Sequence, residues 1–366
     1  MRIQFLMFPF MVLLAVIYIY YRIWQILPFS QIGKWITTLA FLLPVGLFFG
    51  YMAYRSTNTS LWINQVISTI GTSWMIILLY LLMIFVVIDI ARLLIPAIRP
   101  WFINNLYGTI GIAAFLIVTF VGGNLWYHHK VRVPLNIQID KPLKPIKVIG
   151  ISDLHLGYTI GKKELSKWVD MINEEHPDVI LIAGDLIDSN IIPVEQQKMY
   201  EELSRLNAPL GVYVSLGNHD YYADNNKSES FIQKAGIRLL KDEAVLVNDA
   251  FYVVGRDDRT NEGNRKSVME LTKDLDHTKP ILLMDHQPYH LDKSAEAGID
   301  FQLSGHTHRG QIFPINLVTD MIYEKSHGYL QIDNTHIYVS SGIGLWGGKF
   351  RIGTQSEYLV MEMSGK

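Results

Sequence analysis

The distribution of charge constrains this chain more than any other feature of its 366 residues. Residues 1–127 carry six basic residues and one acid, Asp89, so the overall 49% hydrophobic content averages two unlike halves. Four apolar runs in the first half, Ile3–Trp24, Trp35–Tyr54, Thr72–Ile95 and Tyr107–Tyr127, approach the length that spans a bilayer, about 20 residues. The second and fourth contain no charged residue, and the third has Asp89 and Arg92 near its end, one helical turn apart, where they can pair. Tyr and Trp gather at several run ends, among them Tyr18, Tyr20, Tyr21, Trp24, Trp35, Tyr51, Tyr54, Trp126 and Tyr127, as amphipathic rings do at headgroup level. With no polar stripe, these runs do not read as helices of a soluble core. The first run is too long for a cleaved signal and has Arg22 near its end in place of a small-residue cleavage site, so it reads as a retained anchor. Pro9, Pro44 and Gly122-Gly123 are bends that lipid-embedded helices tolerate. The expectation is a four-helix transmembrane region over 1–129, in a multi-pass protein of the plasma membrane. An even number of spans puts the rest of the chain on the side of the N-terminus. Arg2, Arg55, Lys130 and Arg132 on one side balance Arg22, Lys34, Arg92 and Arg99 on the other, so the orientation stays open.

The remainder holds 26 basic and 33 acidic residues of the chain's 32 and 34, which argues against nucleic acid as a partner. Cysteine is absent, which excludes disulfides and thiolate ligands and fits either compartment. Residues 130–145 read as a polar, Pro-containing connector, and 146–366 as a separate domain. There, short apolar runs at Lys147–Ser152, Val179–Ala183, Gly211–Leu216, Ile281–Met284 and Phe301–Leu303 predict buried strands, with helices over Lys162–Glu175 and Glu195–Leu206 between them. Tyr329–Ile332, Ile337–Ser340 and Tyr358–Met363 add strands enough for a second sheet. The alternation predicts an α/β layered domain.

Five islands rich in acids and histidines each follow a predicted strand, and strand ends at one sheet edge are where such domains bind ligands. They are Asp153-Leu154-His155, Gly184-Asp185, Gly217-Asn218-His219-Asp220, His286, and Gly305-His306-Thr307-His308. Oxygen ligands mixed with imidazoles suit Mn, Fe or Zn, and a bridged pair of such ions can clamp both oxygens of a displacement at phosphorus. Asp153 and His155 can turn toward one ion. The carboxylate of Asp185 can bridge two, while Asp188 fits a cap of the following turn. Asn218 offers an amide oxygen to one ion. His219 can face a phosphate and protonate the departing oxygen, with Asp220 holding its ring. His306 and His308, two apart, can address neighbouring ions. His128, His129, His176, His277, His290, His327 and His336 read as interfacial, surface or packing residues.

In this order and spacing the islands resemble the calcineurin-like metallophosphoesterase superfamily over about residues 146–363. Ser304–Pro314 (SGHTHRGQIFP) and Ser340–Glu357 (SSGIGLWGGKFRIGTQSE) are similar to its membrane-tethered bacterial branch. The resemblance implies a four-layer α-β-β-α sandwich and two divalent metal ions. One ion would be held by Asp153, His155, Asp185 and His308, the other by Asp185, Asn218, His286 and His306. It also implies attack by a metal-bound hydroxide, with His219 as proton donor. Arg309 stands where many relatives have glycine; it reads equally as a phosphate contact or a solvent-facing turn residue, and Arg351 shares that ambiguity.

The function expected is a membrane-anchored phosphohydrolase cleaving a phosphodiester or pyrophosphate, with an amphiphilic, lipid-linked or envelope intermediate as candidate substrate. The alternative is a catalytically silent scaffold or binding protein on the same fold.

Overall fold

The computed structural model describes residues 4–54 and 60–366, with side chains described from 10 to 50 and from 60 onward. Arg2, Ile3 and Arg55 lie outside the described residues, as do the side chains of Pro9, Tyr51 and Tyr54. The chain forms two compact units, Met1–Asn124 with Gly347–Lys349, and Leu125–Trp346 with Phe350–Lys366.

The first unit is built from α1 (Gln4–Ile26), α2 (Gln31–Tyr54), α3 (Leu61–Leu94) and α4 (Leu106–His128), which continues into the second unit. Among the described residues, Gln31–Gly50, α3 and α4 are long and apolar enough to cross a membrane, whereas the described apolar part of α1, Phe10–Ile26, is shorter. The third expected span belongs to a longer helix that starts eleven residues earlier, at Leu61. Residues 61–71 include Asn64, Ser68 and Gly71, all buried, and a Cβ on Gly71 would meet Phe48 Cα at 3.0 Å. Gly71 thus lets α2 and α3 approach closely, which an apolarity count passes over. Asp89 and Arg92 pair at 3.2 Å, and Arg22 of α1 joins them with its Nη2 2.6 Å from Asp89 Oδ1, while Tyr18 donates to Asp89 Oδ2 at 2.7 Å. Charges among apolar helices persist when they turn to one another. Removing one member of such a set leaves the others buried and unpaired. Asp89→Ala is therefore expected to cost about 3 kcal/mol of stability, read as a fall in detergent melting temperature; a variant as stable as wild type would overturn this.

The second unit has twelve strands: β1 (Lys130–Ile139), β2 (Ile146–Ile151), β3 (Val179–Ala183), β4 (Val212–Ser215), β5 (Arg238–Leu239), β6 (Glu243–Val247), β7 (Phe251–Gly255), β8 (Ile281–Met284), β9 (Phe301–Ser304), β10 (Gly328–Ile332), β11 (Thr335–Val339) and β12 (Ser356–Gly365). They form two six-stranded sheets, β1-β12-β2-β3-β4-β5 and β10-β11-β9-β8-β7-β6. In β3 the side chains alternate faces: Val179, Leu181 and Ala183 pack with Met284, Phe301 and Leu303 of the other sheet, while Ile180 and Ile182 pack with Leu165, Trp168 and Ile172 of helix Lys162–Glu174. Across the molecule Val254, Ile281 and Leu283 pack under Val268 and Leu271 of helix Val268–Thr272. Helix, sheet, sheet and helix make four layers. Strands buried on both faces give the unbroken apolar runs seen in sequence.

Two expectations fail here. The stretch 130–145 is not a connector: residues 130–139 are β1, paired in parallel with β12 from Lys130↔Ser356 to Ile139↔Gly365. Its alternating burial sends Ile137 and Ile139 into the intersheet core and leaves polar residues outside, and Pro134 is tolerated because β1 is an edge strand. The helix expected over Glu195–Leu206 is two short helices, Ile192–Gln196 and Met199–Leu203, broken at Lys198, whose φ is 48°.

Candidate metal centre

The five islands leave β2, β3, β4, β8 and β9 at their carboxyl ends, and the chain turns there through left-handed backbone. Asp153, His155, Asp185, His306 and His308 all have positive φ, between 47° and 69°. Non-glycine residues in that region cost energy that the surrounding packing must offset, and such positions cluster at functional sites. Gly184 has φ 75°, which starts the turn that aims Asp185. A Cβ on Gly217 would meet Asp185 Oδ1 at 2.2 Å, so only glycine lets the β4 loop lie against that carboxylate.

These turns bring the side chains together. Asp153, His155 and His308 form one group with candidate ligand atoms within 4.8 Å of one another, Asp185, His286 and His306 a second, and His155, Asp185 and His219 lie between. His155 Nε2 faces His308 Nε2 at 3.0 Å, and Asp153 Oδ1 lies 3.4 Å from His308 Nε2. Asp185 Oδ2 lies 3.2 Å from His286 Nε2 and 3.6 Å from His155 Nε2, so this carboxylate touches both groups. His306 Nδ1 is 2.9 Å from Asn218 Oδ1.

The donor set fits cations. His286 Nδ1 lies 2.8 Å from the carbonyl of Ala183, an acceptor only, so Nδ1 donates there and Nε2 is the nitrogen left facing Asp185. His286 Nε2, His155 Nδ1 and His308 Nδ1 are buried without a hydrogen-bond partner. A ring anchored through one nitrogen with the other aimed at carboxylate oxygens is how histidine is held as a ligand. The electrostatics agree. Burial opposes the charge of Asp185, yet His286 and then His155 and His219 hold it well below the usual carboxylate range. Asp153 is pushed up by burial and by the Asp185 carboxylate. Burial, then His286, pushes His306 down to about 4, and burial, then His155, holds His308 well below its ordinary value. Both shifts favour the neutral imidazole, the form that ligates a cation.

Around His219 the structure corrects the sequence reading. Asp220 does not touch the His219 ring. It is fully buried, accepts from the backbone N–H of Gly217 and Ile187 at 2.9 Å each and of Leu186 at 3.3 Å, and burial followed by the Asp185 charge pushes it up to about 6. It ties the β4 loop to the β3 loop. The ring is oriented instead by Asp188, whose Oδ1 is 3.1 Å from His219 Nδ1, and by Ser189 Oγ at 3.0 Å. Asp188 is not a cap: it also approaches His155 Nδ1 at 3.7 Å, and although burial opposes it, the His155 and His219 rings hold its carboxyl below the ordinary range. The signal in sequence was the acid three residues after Asp185, indistinguishable there from a turn residue. The two aspartates should separate experimentally. Asp188→Asn is expected to lower kcat by about 10- to 100-fold with little change in melting temperature. Asp220→Ala strands three buried N–H groups and should cost about 2 kcal/mol or more in stability. Equal loss of activity at equal stability would refute the distinction.

Arg351 is neither a phosphate contact nor a solvent-facing residue. At 1% exposure it donates to the carbonyls of His308, Ser341 and Gly344 at 2.8, 2.6 and 2.8 Å, clamping the loops behind the His308 side of the site. Arg309 sits half-buried in the turn His308–Gly310, its own φ at 48°.

The calcineurin-like phosphoesterase family model matches residues 146–310, the stretch that runs from β2 through the last of these islands. A metallophosphoesterase of Aquifex aeolicus is 31% identical over 60% of this chain and 86% of its own length. A metallophosphoesterase of Helicobacter pylori is 33% identical over 63% of each chain, and a zebrafish (Danio rerio) transmembrane protein with metallophosphoesterase domain is 31% identical over 62% of this chain and 55% of that one. The chain thus spans less than two thirds of the length of those last two relatives. Two sheets delivering acids, imidazoles and an amide to one edge, together with relatedness across most of the Aquifex protein, mean that this chain belongs to the calcineurin-like metallophosphoesterase family of metal-dependent hydrolases.

Proposed function

We propose that the protein is a multi-pass enzyme of a bacterial plasma membrane, its spans within 1–129 including α1 as the fourth. Its domain over 146–366 hydrolyses a phosphodiester or pyrophosphate of an amphiphilic, lipid-linked substrate with two divalent cations of the Mn, Fe or Zn kind. Asp153, His155, Asp185 and His308 would hold one cation, and Asp185, Asn218, His286 and His306 the other. The observation that carries this reading is Asp185, a single buried carboxylate with Oδ2 within 3.6 Å of imidazoles from both groups. Divalent cations there supply charge neutralisation at phosphorus and lower the pKa of a water toward neutrality. His219 protonates the departing oxygen, with Asp188 and Ser189 fixing its Nδ1 so that the other ring nitrogen faces the substrate. Arg309 is the candidate substrate contact. Tethering to a bilayer raises the local concentration of substrates that reside in it, which favours a lipid-linked phosphoester.

The test is hydrolysis by detergent-purified protein of bis-p-nitrophenyl phosphate, p-nitrophenyl phosphate and a lipid-linked pyrophosphate, each with Mn, Zn or chelator. Turnover that requires metal, with kcat/KM highest for the lipid-linked compound, is expected. Metal binding without turnover on any of the three would sink the enzymatic reading, and equal kcat/KM for soluble and lipid-linked compounds would sink the choice of substrate.

A further inference from the structure

Beside the metal centre lies a surface that the hydrolytic reading leaves without a role. Arg259 caps it: its guanidinium lies 4.2 Å from the centre of the Tyr289 ring, and its nearest carboxylate is Glu262 at 4.0 Å, a residue that is itself 80% exposed. Tyr289 packs against Tyr323 with ring centres 5.0 Å apart and hydroxyls 3.2 Å apart, and Tyr323 lies 6.2 Å from the ring of His306. Arg259, Tyr289, Tyr323 and His306 thus form a half-buried path from the rim to a candidate ligand.

The loop that carries Arg259 is held more firmly than packing alone requires. Asp257 and Asp258 are both nearly inaccessible. Asp257 accepts from Tyr221 Oη at 2.6 Å and from Asn261 Nδ2 at 2.8 Å. Asp258 accepts from Thr260 N at 2.8 Å and from Gln287 Nε2 at 2.9 Å. Gln287 follows His286 directly, so the Arg259 turn and the candidate ligand are tied to one framework. The whole arrangement presents one cation, weakly paired and backed by an aromatic face, at a fixed place beside the centre. A guanidinium of this kind offers a planar fork that matches phosphate oxygens.

We infer that Arg259, Tyr289 and Tyr323 form a recognition subsite for a second anionic group of the substrate, a phosphate adjoining the one that is cleaved, with the tyrosine pair flanking the organic part. The inference rests on the phosphohydrolase reading and narrows it: compounds with two linked phosphates are bound in preference to those with one. Arg259 here determines specificity and takes no part in bond cleavage.

The test is calorimetric binding of AMP and ADP to the Mn-loaded, detergent-solubilised full chain, wild type, Arg259→Ala and Arg259→Lys, beside hydrolysis of p-nitrophenyl phosphate by the same preparations. Wild type is expected to bind ADP about tenfold more tightly than AMP, the order expected of one charge-assisted hydrogen bond. Arg259→Ala should bring the two within about twofold, Arg259→Lys should recover part of the difference, and all three should share the same melting temperature and the same kcat for p-nitrophenyl phosphate. Equal affinities in wild type, no binding of either nucleotide, or an ADP preference that survives in Arg259→Ala would each overturn the subsite. Absence of metal-dependent hydrolysis, with the ADP preference present and lost in Arg259→Ala, would instead overturn the catalytic reading.

Discussion

Asp185→Asn is expected to remove metal-dependent hydrolysis by about 10³-fold or more, beyond the 10- to 100-fold typical of residues that only support ligands, and to lower the tightly bound metal from the two equivalents proposed toward one or none. The side chain sits between both ligand groups, with Oδ2 facing His286 and His155 and Oδ1 accepting the backbone N–H of His219 at 2.8 Å. Asparagine has nearly the same shape, and its amide oxygen can still accept from His219, so the fold and the β4 loop should persist. What it lacks is charge. The low position of the Asp185 carboxyl shows that the imidazoles around it favour an anion there, and an amide oxygen offers two cations neither the charge nor the second strong donor. Two measurements check this together: elemental analysis of the purified variant, and melting temperature with and without added Mn. Ligands that bind only the folded state stabilise it by mass action, so wild type should show a metal-induced rise and the variant little or none. A variant that keeps both equivalents and loses less than tenfold in kcat/KM would show that Asp185 is not shared between cations.

The chemistry of this site was legible because each group of donors follows a strand buried on both faces. Val179–Ala183 and Ile281–Met284 stand in the structure with the bounds read from sequence, since runs such as VILIA and ILLM, closed at once by Gly-Asp or Asp-His, leave no other way to bury both faces. The edges were harder. β1 alternates polar and apolar residues and contains Pro134, a pattern that differs from a linker only once β12 is present to pair with it across the fold. β6 and β7 pair antiparallel in the second sheet, and their residues between two islands carried no chemistry to draw notice. In the membrane half, Arg22 is 67 residues from Asp89, so the set formed by Arg22, Asp89 and Arg92 follows from packing of α1 against α3 and not from spacing.

The division of labour among the acids was beyond the sequence for a specific reason. Asp188 stands in the loop after β3 and Asp220 in the short helix Asn218–Tyr222 after β4, and each lies within three residues of a candidate ligand. Which one meets His219 depends on the left-handed turns at Asp185 and Ser189, which swing Asp188 toward the ring while Asp220 turns back to cap the N–H groups of Gly217 and Ile187. Adjacency in sequence favoured Asp220; backbone geometry favours Asp188.

That geometry yields the second large effect. His219→Ala is expected to lower kcat by about 10²- to 10⁴-fold for substrates with an alkyl leaving group, the range for removing a positioned proton donor. The same variant should lose far less on p-nitrophenyl esters, because p-nitrophenolate is a weak base that departs without protonation. The ring lies beside both ligand groups, its centre 4.6 Å from that of His155, with Nδ1 held by Asp188 and Ser189 and its backbone N–H given to Asp185. If His219 served instead as a cation ligand, its removal would cost metal and would depress both classes of substrate alike. The measurement is therefore a pair of kcat values, for a p-nitrophenyl and an alkyl phosphodiester, taken at saturating Mn with the metal content of each preparation determined. A large loss on the alkyl ester alone, with metal content unchanged, identifies a proton donor. Parallel losses that track metal content would move His219 into the ligand set and leave the departing oxygen to be protonated by water.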